Sequence, residues 1–356
     1  MIIIDAHQDI AYNALCFNRD YTRSALKKRQ LEYGTPVPPK AGIATCGLPE
    51  ALVGRIALIF STLFVAPRTR QSAPWDNVMY ATPQEAYKLA RTQLDYYERL
   101  AENDKITLIK TQTDLDAVLQ TWEADTSLKS RVQGLVLLME NADPIVEPAQ
   151  LEEWYELGLR IVGPAWQASR YCGGTGQPGN LTTLGHDLLE TMSDFNMILD
   201  LSHMAEEAYF EALNIYEGPI IASHSNPRKF VDTDRHLSDE IIRSLAERDG
   251  VMGIVLYNRF LDQTWTPTDK KDGITVDRIV AAIDHVCQVT GSALHVGIGT
   301  DFDGGFGTEA IPYELDTVAD LYQIGDALSR FGYAEEDIVS VMGGNMLRKL
   351  REGLPE

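Results

Sequence analysis

The sequence predicts an α/β protein, a closed (β/α)₈ barrel in one domain spanning residues 1–356, and three observations predict it. Short β-branched apolar runs alternate with amphipathic stretches along the whole chain. The alternation repeats about eight times, the number that closes a parallel sheet on itself. No G-x-G-x-x-G follows the first strand, which argues against an open dinucleotide-binding sheet, and no Pro/Gly/Ser linker or charge block divides the chain.

The strand-like runs are 2–6, 55–65, 134–139, 159–163, 197–201, 219–222, 251–256 and 295–299, with 105–110 a shorter extra segment. Helical spacing of apolar residues falls between them, at 83–103, 185–195, 206–216, 238–248, 275–290 and 317–331. Ser238 precedes Asp239 and Glu240, a capping residue followed by first-turn acids. The polar connection over 18–50 carries Lys27, Lys28, Arg29 and several prolines. It reads as a long loop that crosses the barrel mouth or caps one end.

Charge narrows the function. Fifty-two acidic against 31 basic residues give a net charge of −21, which repels phosphate backbones and anionic lipid, so neither nucleic acid nor a membrane surface is an expected partner. No run of 18 apolar residues occurs, and the first residues have neither a basic nor a long apolar region, so the expected location is cytoplasmic. Cys16, Cys46, Cys172 and Cys287 lie far apart without a C-x-x-C pair. They suit reduced thiols rather than a zinc ribbon or a disulfide scaffold.

The chemistry gathers at the ends of the strand-like runs. His7 and Asp9 follow the first run, Glu140 the third, His203 the fifth, His224 the sixth and Asp301 the eighth. In a barrel all C-terminal strand ends meet on one face, and alternation along the first run puts His7 and Asp9 on the same side. Each residue alone has an ordinary structural reading, as a cap, a salt-bridge partner or a turn residue. Three of the seven histidines at such positions is the less ordinary observation, since His186, His285 and His295 sit in helical or pre-strand positions. Imidazole and carboxylate donors without thiolates suit zinc or manganese, and the donors outnumber what one ion needs. Two ions about 3.5–4 Å apart, bridged by a carboxylate and a water or hydroxide, are therefore expected, with a further carboxylate moving protons.

These residues carry a resemblance. The segments 5–9 (DAHQD), 199–203 (LDLSH), 223–226 (SHSN), 235–240 (RHLSDE), 295–304 (HVGIGTDFDG) and 343–348 (GGNMLR) resemble the membrane (renal) dipeptidase family of binuclear zinc peptidases, which implies a TIM-like barrel of the metal-dependent hydrolase type. The resemblance implies two Zn²⁺ ions, one held by His7 and Asp9 and the other by His203 and His224, with Glu140 bridging. It makes Asp301 the proton carrier, Arg235 the anchor for a substrate carboxylate and Tyr257 a residue near substrate. Arg235 also suits that role on its own chemistry, because a guanidinium fork matches a carboxylate. A small dipeptide is the implied substrate and a homodimer the implied assembly. One position departs: Trp166 stands where the family has a histidine contacting the scissile carbonyl, and an indole N–H can donate but carries no charge. Arg170 is a candidate replacement. The departure keeps open a second reading, an amidohydrolase acting on N-acyl amino acids, lactams or lactones. A non-catalytic barrel is the third, opposed by the intact ligand set.

Overall fold

The computed structural model describes residues 1–68, 77–123 and 127–356. All eight expected runs form strands: β1 (Ile3–Gln8), β2 (Ile56–Phe64), β3 (Gln133–Glu140), β4 (Leu159–Gly163), β5 (Ile198–Asp200), β6 (Ile220–Ser225), β7 (Val251–Ile254) and β8 (Val296–Ile298). Every neighbouring pair is parallel, and the ring closes where Asp5 of β1 faces Ile298 of β8. The β2–β3 pairing is the longest, from Leu58 opposite Gly134 to Phe64 opposite Glu140. The extra segment forms a short strand, Ile106–Leu108, on the first part of β3 at Gln133–Leu135. From Leu137 onward β4 takes over that edge.

Alternation along the strands sorts the apolar side chains into two sets. Ile4, Ala6, Leu58, Phe60, Val136, Leu138, Ile161, Ile198, Ile221 and Val251 pack together inside the ring. Their neighbours Ile3, Ile59, Leu135, Leu137, Leu199, Ile220 and Met252 face the surrounding helices. The interior is thus a filled core, and a site can form only above it.

The helices follow the sequence signals closely. Thr82 caps Pro83–Leu100 by accepting from the Glu85 N–H, and Ser238 caps Asp239–Glu247 by accepting from the Ile241 N–H at 3.3 Å. The expected helix over 317–331 is split into a 3₁₀ turn, Val318–Asp320, and a helix, Tyr322–Phe331. Thr317 and Asp320 form a capping box on the turn. Sequence reading missed the C-terminal elements Glu335–Val339, a π turn at Ser340–Gly344, and Asn345–Gly353. This last helix touches β1, β5, β7 and β8, and its Met346 and Leu350, with Leu354 just beyond, join the inner core and close the barrel floor.

The 18–50 segment is not a plain loop. It contains the helices Ala25–Glu32 and Pro38–Ala41 and runs into Leu48–Val53. A buried Arg19–Glu32 pair holds it together (Nε to Oε1 2.8 Å), and Thr45 donates to Asp303 from both its N–H and its hydroxyl. Arg29 pairs with Asp316 at 2.9 Å. The segment therefore docks on the chain that follows β8. Its polar composition reflects buried ion pairs as well as solvent exposure. The four cysteines are free thiols, and among the described residues no helix is long and apolar enough to cross a membrane.

Candidate metal centre

Two residues above the apolar interior, the alternation delivers a polar layer: Thr62 above Phe60, Glu140 above Leu138, Asp200 above Ile198 and Ser223 above Ile221. The corresponding positions on β4, β7 and β8 are Gly163, Gly253 and Gly299. Glycine is required at two of them. A Cβ on Gly253 would lie 2.0 Å from the Ser223 carbonyl oxygen, and one on Gly299 would lie 1.9 Å from it. The Ser223 carbonyl fills that space because the β6–β7 register slips between Ala222 and Ser225. The same slip lets both Ser223 and His224 reach the centre.

The structure brings together all six residues that the sequence singled out, though not always as expected. His7 lies within β1, where the register with β2 also shifts, and Asp9 lies beyond the strand, just before helix Ile10–Phe17, with its carboxylate free of any capping bond to that helix. Simple alternation therefore does not explain why they meet; the irregular strand end does. His203 and Asp301 are not strand ends either. They follow β5 and β8 by three residues and hold left-handed backbone at φ 65° and 57°. For residues with a Cβ this conformation costs about 1–2 kcal/mol, and such strain concentrates at functional sites.

Glu140 stands in the middle. Its Oε2 lies 3.7 Å from His7 Nε2, while its Oε1 lies 3.3 Å from both His203 Nε2 and His224 Nε2. His7 Nε2 is also 3.9 Å from a carboxylate oxygen of Asp9 and of Asp301. His7, Glu140 and His224 offer donor atoms within 4.8 Å of one another, as do His7, Asp9 and Asp301, so the set is one continuous cluster with His7 in both halves. The other ring nitrogens have hydroxyl partners. Thr175 Oγ1 is 2.9 Å from His203 Nδ1, and Ser223 Oγ is 2.8 Å from His224 Nδ1 and 3.4 Å from His7 Nδ1. Ser223 donates its own hydrogen to buried Asp200 at 2.5 Å, and Thr62 donates to Asp9. Asp200, Ser223, Thr175 and Thr62 were missed by sequence reading. Asp200 and Ser223 sat inside the quoted motifs, but only their place in the polar layer reveals the role.

The electrostatics point to cations. Burial pushes the carboxyl groups of Glu140 and Asp301 well above their usual range, with neighbouring acids adding to the effect, and raises Asp9 to about 6. Burial lowers His7 to about 3, with Arg235 contributing, and lowers His203 and His224 strongly. Three acids that resist ionising beside three neutral imidazoles suit bound divalent ions, which would reverse the carboxylate shifts. His7 Nε2 is buried without a hydrogen-bond partner, so an orphaned donor atom faces the cluster. The residues present fit a binuclear metal site.

A cavity of about 300 Å³ opens over the cluster, lined by Asp9, Glu140, His203, His224, Asp301 and Arg235 together with Tyr12, Phe64, Trp166, Phe260 and the glycines at 304 and 305. A larger groove of about 560 Å³ lies beside it but holds none of the six residues. Arg235 is buried and oriented by bonds to the His224 carbonyl (2.6 Å) and Ser225 Oγ (3.2 Å). Trp166 lines the cavity as expected. Tyr257 does not: it stacks on Phe306 at 4.5 Å and lies edge-on to Phe260, and Phe260 is the ring that reaches the cavity. Arg170 cannot replace the family histidine, because its guanidinium bonds the carbonyls of Ile145 and Val146 and faces Asp143.

Comparison with known proteins identifies the fold and the family. The dipeptidase AC, a metallo peptidase of family M19, shares the fold with a TM-score of 0.79 at 20% identity, over 100% of this chain and 99% of that one. A metallo peptidase from Rhodobacter sphaeroides, liganded with a phosphinate mimic of the dipeptide L-Ala-D-Ala, has a TM-score of 0.77 at 20% identity over 99% of each chain. An uncharacterized dipeptidase of Schizosaccharomyces pombe is 29% identical over 206 residues. That match covers 56% of this chain and 48% of the relative, so the aligned part spans about half the relative's length. The sequence model of the membrane dipeptidase family, peptidase family M19, matches residues 1–353, and with the barrel and its clustered imidazoles and acids this establishes that the chain belongs to that family.

Proposed function

We propose that the protein is a zinc-dependent dipeptidase that hydrolyses the peptide bond of small dipeptides. The observation that carries this reading is Glu140, whose two carboxylate oxygens face different histidines. His7 and Asp9 would hold one cation and His203 and His224 the other, with Glu140 shared. Bound there, two divalent ions supply Lewis acidity, polarising the scissile carbonyl and making water acidic enough to attack near neutral pH.

The remaining work belongs to side chains. Asp301, beside His7 and in the field of Arg235, takes the proton of the attacking water and returns it to the leaving amine as the C–N bond breaks. Arg235 receives the substrate's C-terminal carboxylate in its fork, and its own bonds to the protein fix its direction beforehand. The cavity's 300 Å³ is at the small end of ligand sites, in keeping with a dipeptide and too confined for a long peptide. The Rhodobacter sphaeroides relative's complex with a dipeptide mimic supports the same substrate class.

The test is a purified, zinc-loaded sample on a panel of L,L and L,D dipeptides beside a metal-free control. Amino-acid release well above the control is the expected result, with about two metal ions per chain by elemental analysis. Glu140→Gln should lower both the metal content and the rate. Faster turnover of N-acyl amino acids than of free dipeptides would replace this reading with the amidohydrolase one.

A further inference from the structure

A chain of contacts runs along the cavity lining. Arg235 bonds the His224 carbonyl, and His224 Nε2 lies 3.1 Å from His203 Nε2. The Trp166 ring is 6.3 Å from that of His203, Phe64 is edge-on to Trp166 at 5.2 Å, and Tyr12 is edge-on to Phe64 at 5.6 Å. The guanidinium, with the Phe260 ring 5.9 Å from it, thus lies on one side of the imidazole–carboxylate cluster, and a chain of three aromatic rings, Trp166, Phe64 and Tyr12, leads away from His203 on the other. Phe64 sits directly across from Glu140 in the β2–β3 register, so the apolar corner begins beside the reacting centre.

This inference rests on the dipeptidase reading. A dipeptide held by its carboxylate at Arg235, with its scissile carbonyl over Glu140, His203 and His224, lays its first residue toward Trp166. From this geometry we infer that the protein is selective for dipeptides whose N-terminal residue is aromatic or large and apolar, with Trp166 and Phe64 as the specificity-determining residues. The rings are held edge to face by one another and by the small cluster of Ala66 and Val78 beneath them, so the surface exists before substrate arrives. A charged residue in Trp166's place would spend binding energy on a polar substrate group. The indole spends it on apolar area.

The experiment compares kcat/KM of the zinc-loaded enzyme on Gly-Ala, Ala-Ala, Leu-Ala, Phe-Ala and Trp-Ala. Phe-Ala and Trp-Ala should exceed Ala-Ala by about tenfold or more, the size of discrimination an apolar pocket gives for added carbon. Trp166→Ala should collapse the Phe-Ala to Ala-Ala ratio toward one, chiefly through a raised KM for Phe-Ala, and Trp166→Phe should restore part of it. Phe64→Ala, which removes the ring that Trp166 packs against, is a second variant and should lower the same ratio. Hydrolysis of all five with a flat or inverted ranking overturns this inference and leaves the dipeptidase reading standing. Failure to hydrolyse any of them overturns both.

Discussion

At the scale of single residues, the centre is organised by which atom carries each hydrogen. If His7 and His224 present Nε2 to a cation, each keeps its hydrogen on Nδ1, and both face Ser223 Oγ, whose own hydrogen goes to Asp200. One hydroxyl therefore orients a ligand from each half of the cluster. Ser223→Ala should weaken cation binding about 10–100-fold, measured by competition with a chromogenic chelator. Unchanged affinity would show that packing alone aims the rings. Acid–base behaviour gives a second expectation. Without cations Asp9 keeps its proton up to about pH 6, burial raises Glu140 and Asp301 well above the usual carboxylate range as well, and His7 is already neutral above about pH 3. Ligation needs ionised carboxylates and neutral imidazoles, so zinc uptake near pH 6 should release protons from the acids, and affinity should rise with pH through that value. Calorimetry in buffers of different ionisation enthalpy counts those protons; none released at pH 6 would contradict the assignment. The residue types were legible in the sequence, since His7, Asp9, Glu140, His203, His224 and Asp301 all reach one cluster. The hydroxyls behind them were not, because serine and threonine near strand ends are too common to stand out.

At the scale of elements, strand irregularity does what regular alternation cannot. The slip in β6 turns Ser223 and His224 toward the same centre, and the Ser223 carbonyl then occupies the space that side chains at Gly253 and Gly299 would need. Neither glycine is there for a left-handed backbone; each is there because a Cβ would strike a rigid carbonyl. Gly299→Ala should cost about 1–3 kcal/mol in urea unfolding, as overpacking does. It should also lower zinc content by displacing His224, and an unfolding midpoint equal to wild type would refute the steric argument. The sequence located these strands well but overestimated β5 and β8. Leu201 and Thr300 continue the apolar or β-branched pattern, yet the backbone leaves the sheet at Asp200 and Ile298, so His203 and Asp301 act from bends. A local pattern cannot announce a left-handed residue that only its tertiary partners stabilise.

Taken as a whole molecule, the barrel has a chemical top and a structural floor. The floor is sealed by Asn345–Gly353, whose Met346 and Leu350 pack into the inner core beneath Ile4, Ile198 and Val251. Leu350 is fully buried, so Leu350→Ala should destabilise the protein by about 2–5 kcal/mol in thermal or urea unfolding. Turnover measured well below the melting point should stay at the wild-type level, because the substitution lies at the end opposite the cavity. A matching fall in turnover at low temperature would mean that floor and site are coupled. The sequence by itself determined the barrel, through eight apolar runs that each need helices on one side and a shared core on the other. It also determined which residue types the cluster offers, since imidazole and carboxylate chemistry is written in single letters. Only the tertiary structure decided how they meet: that 18–50 contains helices docked on the chain beyond β8, that Phe260 rather than Tyr257 reaches the cavity, and that Arg170 is committed elsewhere. Those outcomes depend on contacts between residues far apart in the chain, whose energies no local pattern contains.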